Sequence, residues 1–493
     1  MRVRITGGKA HDHPRGLGLA LTTVALCGLM GLLVTRLVSG REHVHLPLRV
    51  RSRQRKIILM TIDALRADRL GCYGYRRAET SPTIDAWAGQ AVLFEHAYAQ
   101  APWTIPSLAS LMSGRDAREV GAHTNLLGDI RSPEKTLAEQ LHQLGYRTAF
   151  VNTNPLLLRP GMARGFDSVA PPSTNGAKLP YTAVEPLVME WLDQHARDQF
   201  FLWIHDMDTH SPPTDGNPYL ARPGWNSYDA EVRWVDEAVG RLFAKLDALG
   251  IRDQVLFIFT ADHGEAFGEH HLDGHQDVIY DEVLHVPLIV RYPGMVRTGR
   301  VADPVQLLDV NPTIAELAGA RQPPVSRGES LVPITATNWF SWAARPQHPY
   351  VFSARYYFGT DRSDPLSGKV LTARGTHQLA VHSGRWKMIA KVPATLIPPL
   401  IGDGVEGDSY EQPDWDTTNP AATAYELYDL STDPLEQQDV FAAQPQVGAR
   451  LQHALVAWKQ MTDGGYRATA RARIIPAAID SATREAMHAL GYE

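Results

Sequence analysis

Apolar residues in this chain take two repeating forms. The first is a short unbroken run, often closed by a carboxylate: "IILMTID" ending at Asp63, "TAFVN" from Thr148, "FFLWIHD" from Phe200 to Asp206, "VLFIFTADHGE" from Val255, and "VPLIV" from Val286. Runs of this length, apolar on every position, predict strands of a parallel sheet buried on both faces. The second form repeats at helical spacing. In "YDAEVRWVDEAVGRLFAKLDALG" the positions Val232, Val235, Val239, Leu242, Leu246 and Leu249 share one face. In "SPEKTLAEQLHQLG", Ser132 is placed as a cap, Pro133 falls in the first turn, Leu137, Leu141 and Leu144 line one face, and Gly145 is the stop. Strands alternating with helices predict an α/β fold, with a doubly wound, mostly parallel sheet and ligands beyond the strand carboxyl ends.

Past about residue 340 the texture changes. "YVFSARYYF", "HQLAVHSGRWKMIAK" and "YELYDLSTDPLEQQDV" read as short antiparallel strands with turns. "VPATLIPPLIGDGVEGDSYEQPDWDTTNP" reads as loop, and the last fifty residues as helix. The chain of 493 residues therefore divides into a large body at 56–340, a small C-terminal antiparallel subdomain at 341–440 and a helical tail at 441–493.

The N-terminus differs from all of this. Residues 17–38, "LGLALTTVALCGLMGLLVTRLV", are long and apolar enough to cross a bilayer, which needs roughly 20 such residues. A basic tail at 1–16 precedes them and a basic linker at 39–55 follows. The run is a single-pass signal-anchor or a cleaved signal. Seven bases follow from Arg36 to Lys56 against four before, so positive-charge counting does not place the body outside. Net charge is −6, but the first 56 residues hold eleven bases against two acids, which leaves the remainder acidic. An acidic body excludes nucleic acid as a partner. The two cysteines, Cys27 and Cys72, are not expected to pair. Oligomeric state is not legible.

Chemistry gathers at the predicted strand ends. Asp63 closes the first strand, Asp206 closes "FFLWIHD", and Asp262 and His263 follow "VLFIFTA". Thr104 stands ahead of Pro106 at a predicted helix start, where free backbone N–H groups favour an anion. The segments "LMTIDALRADRLGCYGY", "YAQAPWTIPSLASLMSG", "TADHGEAFGEH", "YDEVLHVPLIVRYPG", "YELYDLSTDPLE" and the closing "ALGY" together resemble sulfatases of the alkaline-phosphatase superfamily, over roughly residues 56 to 440. The resemblance implies an α/β sandwich with a C-terminal subdomain. It implies export, hence a catalytic domain outside the cytoplasm, either membrane-anchored or secreted (periplasmic) after signal cleavage. It implies a divalent metal held by Asp63, Asp262 and His263, with the nucleophile at Thr104.

The departures from the sulfatase pattern matter as much. Sulfatases convert Cys or Ser to formylglycine; threonine carries an extra methyl and cannot give that aldehyde, so no formylglycine is expected. Leu108 stands where the motif has arginine, and Ala64 where a second Asp is usual. The lysine-bearing segment is replaced by "FVNTNPLLLR", which offers Asn154 and Arg159 to the substrate. Asp, Thr, Asp and His around one metal resembles the superfamily's phosphodiesterases and its phosphoethanolamine and phosphoglycerol transferases. A hydroxyl beside a divalent cation becomes nucleophilic. The expected activity is thus metal-dependent hydrolysis of a sulfate or phosphate ester, with phosphate diesters favoured. A headgroup transferase and a catalytically inactive binding relative are the alternatives.

Two readings of "HDMDTHSPP" stay open. Asp206 and His210, with His275 of "LDGHQD", have the spacing of a second metal site that would aim water at phosphorus. In the simpler reading Asp208 and His210 contact substrate, with His210 catalytic. His205 and His285 read as structural, His270 and His271 as a solvated turn, and Arg66 as an anchor of the loop after the first strand. The ligand set suits Zn, Mn or Ca, with His263 favouring the first two.

Overall fold

The computed structural model describes residues 55–470, apart from 123–124, 126–128, 132, 134, 171–178, 212, 276–277, 321–325, 333–348, 357–361, 364–369, 372–375 and 394–422. The expected basic tail, the apolar span at 17–38, nearly all of the linker and the end of the helical tail lie outside the described residues. Among the described residues, no helix is long and apolar enough to cross a membrane.

Nine strands form the main sheet. They are β1 (Lys56–Ile62), β2 (Val92–Tyr98), β3 (Arg147–Asn152), β4 (Ser168–Ala170), β5 (Phe200–Asp206), β6 (Val255–Ala261), β9 (His285–Arg291), β10 (Gly299–Val301) and β11 (Val305–Gln306). The two-residue strands β7 (Ala266–Phe267) and β8 (Asp273–Gly274) pair as a separate hairpin. The order is β10-β2-β9-β6-β1-β5-β3-β4, with β11 also on β2. Every residue of β1, β5 and β6 is buried, as strands covered on both faces require. All pairs are parallel except those of β9, which runs antiparallel to both β6 and β2. The run "VPLIV" therefore corrects the expectation of a parallel strand; an unbroken apolar run records burial on two faces, not direction.

β2 is an element the hydrophobic pattern did not predict. Its sequence "VLFEHAY" is interrupted by Glu95 and His96, and its register against β9 shifts between Phe94 and Ala97. A bulge there turns the two polar residues outward and hides the periodicity. The helix at Leu137–Gln143 begins later than expected. Its cap is Thr136, whose hydroxyl accepts from Glu139 N while the Glu139 carboxylate accepts from Thr136 N. This reciprocal pair fixes the start, so Pro133 precedes the helix. The long helix Ser227–Ala248 buries Val232, Val235, Val239, Leu242 and Leu246 as expected.

A second sheet, antiparallel, has the order β12 (Val351–Arg355), β15 (Thr376–Ser383), β16 (Trp386–Pro393), β17 (Ala424–Asp429). A short pair, β13 (Arg362–Ser363) and β14 (Val370–Leu371), lies between them in sequence. Alternate residues of the second sheet face opposite ways. Ala380, Ile389 and Tyr428 join the main core, while Leu379, Val381, Met388 and Leu427 pack with Leu451, Leu455 and Trp458 of the helix Pro445–Ala470. The sheet is thus sandwiched between the main body and that helix, and the described residues fall in one compact unit.

Candidate active site

β1, β5 and β6 lie side by side and parallel, with Ile62 opposite both Asp206 and Ala261. Their carboxyl ends therefore open on one edge, and the residues that follow meet there. Asp63 N donates to Asp206 O at 2.8 Å, and Asp262 N to Ile62 O at 3.3 Å. The helix Thr104–Ser113 starts over the same edge, and Ser107 Oγ donates to Asp262 O at 2.6 Å. Thr104 Oγ1 lies 3.4 Å from His263 Nε2. His263 Nε2 in turn lies 3.6 Å from Asp63 Oδ1 and 3.6 Å from Asp262 Oδ2. All four side chains are fully buried.

Each carboxylate has one oxygen held by the protein and one that is not. Asp63 Oδ2 accepts from Asn154 Nδ2 at 2.8 Å and lies 3.3 Å from His205 Nε2. Asp262 Oδ1 accepts from Ala64 N at 3.1 Å and His263 N at 2.8 Å. Asp63 Oδ1 and Asp262 Oδ2 are buried with no hydrogen-bond partner. Burial opposes the charge of Asp63, but the His205 hydrogen bond and the fields of His210 and His263 hold it well below the usual carboxylate range. Burial and then the charge of Asp63 push Asp262 well up. Burial lowers His263 to about 3, and its Nδ1 donates to Gly264 O at 2.8 Å, which leaves Nε2 as a lone pair. Two orphaned carboxylate oxygens and an imidazole lone pair beside a hydroxyl are the donor set of a divalent cation.

Ala64 adopts a left-handed backbone, φ 57°, which is rare outside glycine and turns its N–H onto Asp262. The position where sulfatases carry a second Asp here supplies a backbone donor.

His205 was read as structural, yet it joins this site. Among the described residues, the group whose atoms could hold one ion is Asp63, His205 and Asp262. His205 Nδ1 is 2.9 Å from Thr61 Oγ1, and Trp203 Nε1 donates to that same oxygen at 2.9 Å. That chain orients His205 Nε2 towards Asp63. Glu265 was also missed. Its carboxylate lies 3.1 Å from His275 Nδ1, and the His275 ring stands 4.3 Å from that of His263 and 5.3 Å from that of His210. His210 Nδ1 faces Ser211 O at 2.6 Å, so Nε2 is its acceptor.

Asp206, His210 and His275, read above as a second ligand group, are all buried. Asp206 Oδ1 accepts from Asp208 N at 2.9 Å, because the strand end curls back on its own backbone. Asp208 accepts from Tyr181 N at 3.2 Å and Thr214 Oγ1 at 3.2 Å, the contacts of a helix anchor. Asn154, expected to contact substrate, caps its own turn through Leu156 N at 2.9 Å and donates to Asp63 Oδ2 at 2.8 Å. Arg159, buried, donates to Leu156 O and to Asn125 O. The helix start is not an open anion cradle. Ile105 N donates to Asn125 Oδ1 at 2.8 Å, and Pro106 has no N–H to offer. Arg66 is committed to Asp68, Glu269 and Glu265 O, as a loop anchor would be. His285 packs on Tyr98 and faces Glu95 O at 2.8 Å, and His270 stacks on Tyr280 in a left-handed turn with His271.

Comparison with known proteins places these residues in a family context. Residues 55–320 match the family described as Sulfatase. Arylsulfatase A of Bos taurus is 26% identical over 470 residues, 82% of this chain and 86% of that protein. The multifunctional alkaline phosphatase superfamily protein PehA of Trinickia caryophylli is 32% identical over 189 residues, 38% of this chain and 35% of that protein. The phosphonate monoester hydrolase of Agrobacterium radiobacter shares the fold, with a TM-score of 0.62 at 18% identity over 83% of this chain and 96% of that one.

Proposed function

This chain belongs to the sulfatase family, hydrolases that act on sulfuric ester bonds and use a divalent metal, and from that premise we propose that it cleaves phosphate esters, diesters above all, with Thr104 as nucleophile. The observation that carries the proposal is the placement of Thr104 Oγ1, 3.4 Å from His263 Nε2, the nitrogen that lies 3.6 Å from each of the orphaned oxygens Asp63 Oδ1 and Asp262 Oδ2. Asp63, Asp262 and His263 would hold the metal, with His205 placed to join them and Asn154 steadying Asp63. When bound there, a divalent ion supplies Lewis acidity, which lowers the pKa of a neighbouring hydroxyl and stabilises charge on a phosphoryl oxygen. Two carboxylates and an imidazole suit Zn or Mn better than Ca.

The chain's own residues account for the rest. Thr104 cannot become formylglycine, and Leu108, at the motif's arginine position, is sealed in the hydrophobic core. Neither could support an aldehyde hydrate. Attack of Thr104 Oγ1 on phosphorus breaks the bond to the leaving alcohol, which takes up a proton. Water then attacks the phosphothreonine, restoring the hydroxyl and releasing phosphate monoester. His210 Nε2 is the acceptor for the proton of that water, with Nδ1 held by Ser211 O. The similarity to PehA and to the phosphonate monoester hydrolase supports a phosphorus substrate. Sulfate esters are the second reading, favoured by the similarity to arylsulfatase A.

Elemental analysis with paired assays on an aryl phosphodiester and an aryl sulfate tests the proposal. Bound metal, faster diester cleavage and loss of both in the appropriate variants, metal in Asp63→Asn and turnover in Thr104→Ala, are expected. Sulfate release that persists in Thr104→Ala would overturn it. The apolar run at 17–38 and the family's exported members support an extracytoplasmic catalytic domain. A topology reporter active only outside the cytoplasm, fused after Arg55, should be active; silence would contradict that placement.

A further inference from the structure

Lys387 lies on β16, in the C-terminal sheet, and its side chain is completely buried. Its ammonium is 2.8 Å from Asp281 Oδ1 and 2.7 Å from Glu436 Oε1. Asp281 Oδ1 is also 2.9 Å from His382 Nε2, and Asp281 N donates to Glu436 Oε2 at 2.5 Å. Three segments are thereby clamped: β15–β16, the loop after β17, and the turn Asp281–Leu284.

That turn is the back wall of the candidate active site. Val283 O accepts from Gly264 N at 2.9 Å, and Glu282 O accepts from Glu265 N at 3.1 Å. Gly264 follows His263 directly, and its carbonyl holds His263 Nδ1. The approach has no slack. A Cβ on Gly264 would stand 2.1 Å from Glu282 O, a distance no carbon tolerates. A continuous set of contacts therefore runs from the ammonium of Lys387, through Asp281 and the turn, to the imidazole that faces Thr104.

We propose that Lys387 is a positioning residue: by fixing Asp281 and Glu436 it holds the Asp281–Leu284 turn against Gly264 and keeps His263 Nε2 aimed at the metal position. This inference rests on the reading of Asp63, Asp262 and His263 as metal ligands. Supports of this kind commonly change metal affinity by about 10- to 100-fold when removed.

The test uses purified full-length protein, stripped with chelator and titrated with Mn²⁺. Lys387→Met, folded by circular dichroism, is expected to bind Mn²⁺ at least about 10-fold more weakly. Its kcat at saturating Mn²⁺ should stay within about threefold of wild type, since nothing at the reacting atoms has changed. Arg385→Ala, in the turn between β15 and β16 and paired with Asp429 at the surface, should bind as wild type does. Should Lys387→Met fail to fold, Lys387→Met/Asp281→Asn removes both charges together, and the same weakening is expected. Wild-type affinity in either folded variant overturns the inference while leaving the metal reading intact. A wild type that binds no Mn²⁺, or an Asp63→Asn variant that binds it unchanged, overturns the metal reading itself.

Discussion

Two buried clusters of acids sit about the turn Asp281–Leu284, and they are completed differently. In one, Asp281 and Glu436 close on Lys387, with His382 alongside. In the other, Asp63 and Asp262 face each other beside His263, and no lysine or arginine among the described residues pairs with them. The first cluster carries its cation in its own sequence. The second has only imidazoles, and burial lowers His263 to about 3, so it is neutral at physiological pH. Similar acids thus serve opposite ends. A cluster with its own ammonium is a finished piece of structure, and one that lacks a cation is prepared to receive one.

The largest test of this contrast is at the nucleophile. Thr104→Ala should lower kcat by roughly 10⁴-fold or more while bound metal, counted by elemental analysis, stays the same; activity within tenfold of wild type would refute the role. Next comes the pair of acid clusters. Lys387→Met should cost about 3–5 kcal/mol in denaturant unfolding, because two buried carboxylates lose their partner. Asp262→Asn should leave the metal-free protein as stable or more stable, because it removes repulsion with Asp63. A marked loss there would mean that the cluster is structural after all. A smaller effect is expected from metal itself. Mn²⁺ at about 100 times its Kd should stabilise the protein by about 2.7 kcal/mol, and Asp63→Asn should abolish that gain. The smallest effect is with pH. Burial lowers His377 to about 3, helped by Arg118, Arg355 and Lys459, and His382 to about 4 against the pull of Asp281. Below pH 6.5 the unfolded chain binds protons that these folded side chains refuse, so their contribution to stability falls as pH falls towards 4. A loss of about 1 kcal/mol per histidine between pH 6.5 and 5.5 is expected from these two groups, and a His377→Phe variant whose stability changes over that range as wild type's does would contradict it.

Much of this arrangement was legible before any coordinates. Runs closed by a carboxylate put Asp63, Asp206 and Asp262 at one sheet edge, and Pro106 marked the helix that presents Thr104. What escaped the reading was non-local. β2 hides behind a bulge that exposes Glu95 and His96. His205 faces Asp63 with its ring set by Thr61 on the neighbouring strand β1, a contact that Trp203, on β5 with His205, supports in turn. Asn125, from a loop, occupies the N–H at the helix start that the pattern left open to an anion. Asp206 has the spacing of a ligand, and its Oδ1 also accepts from Asp208 N, a bond the spacing does not show. Lys387 sits in an otherwise ordinary strand, about a hundred residues beyond the turn it holds, and no periodicity points from one to the other.

The most direct test is anomalous diffraction from crystals grown with Mn²⁺. The account predicts a peak bounded by Asp63 Oδ1, Asp262 Oδ2 and His263 Nε2, with Thr104 Oγ1 turned towards it. A peak elsewhere, or one from which Thr104 points away, would contradict it.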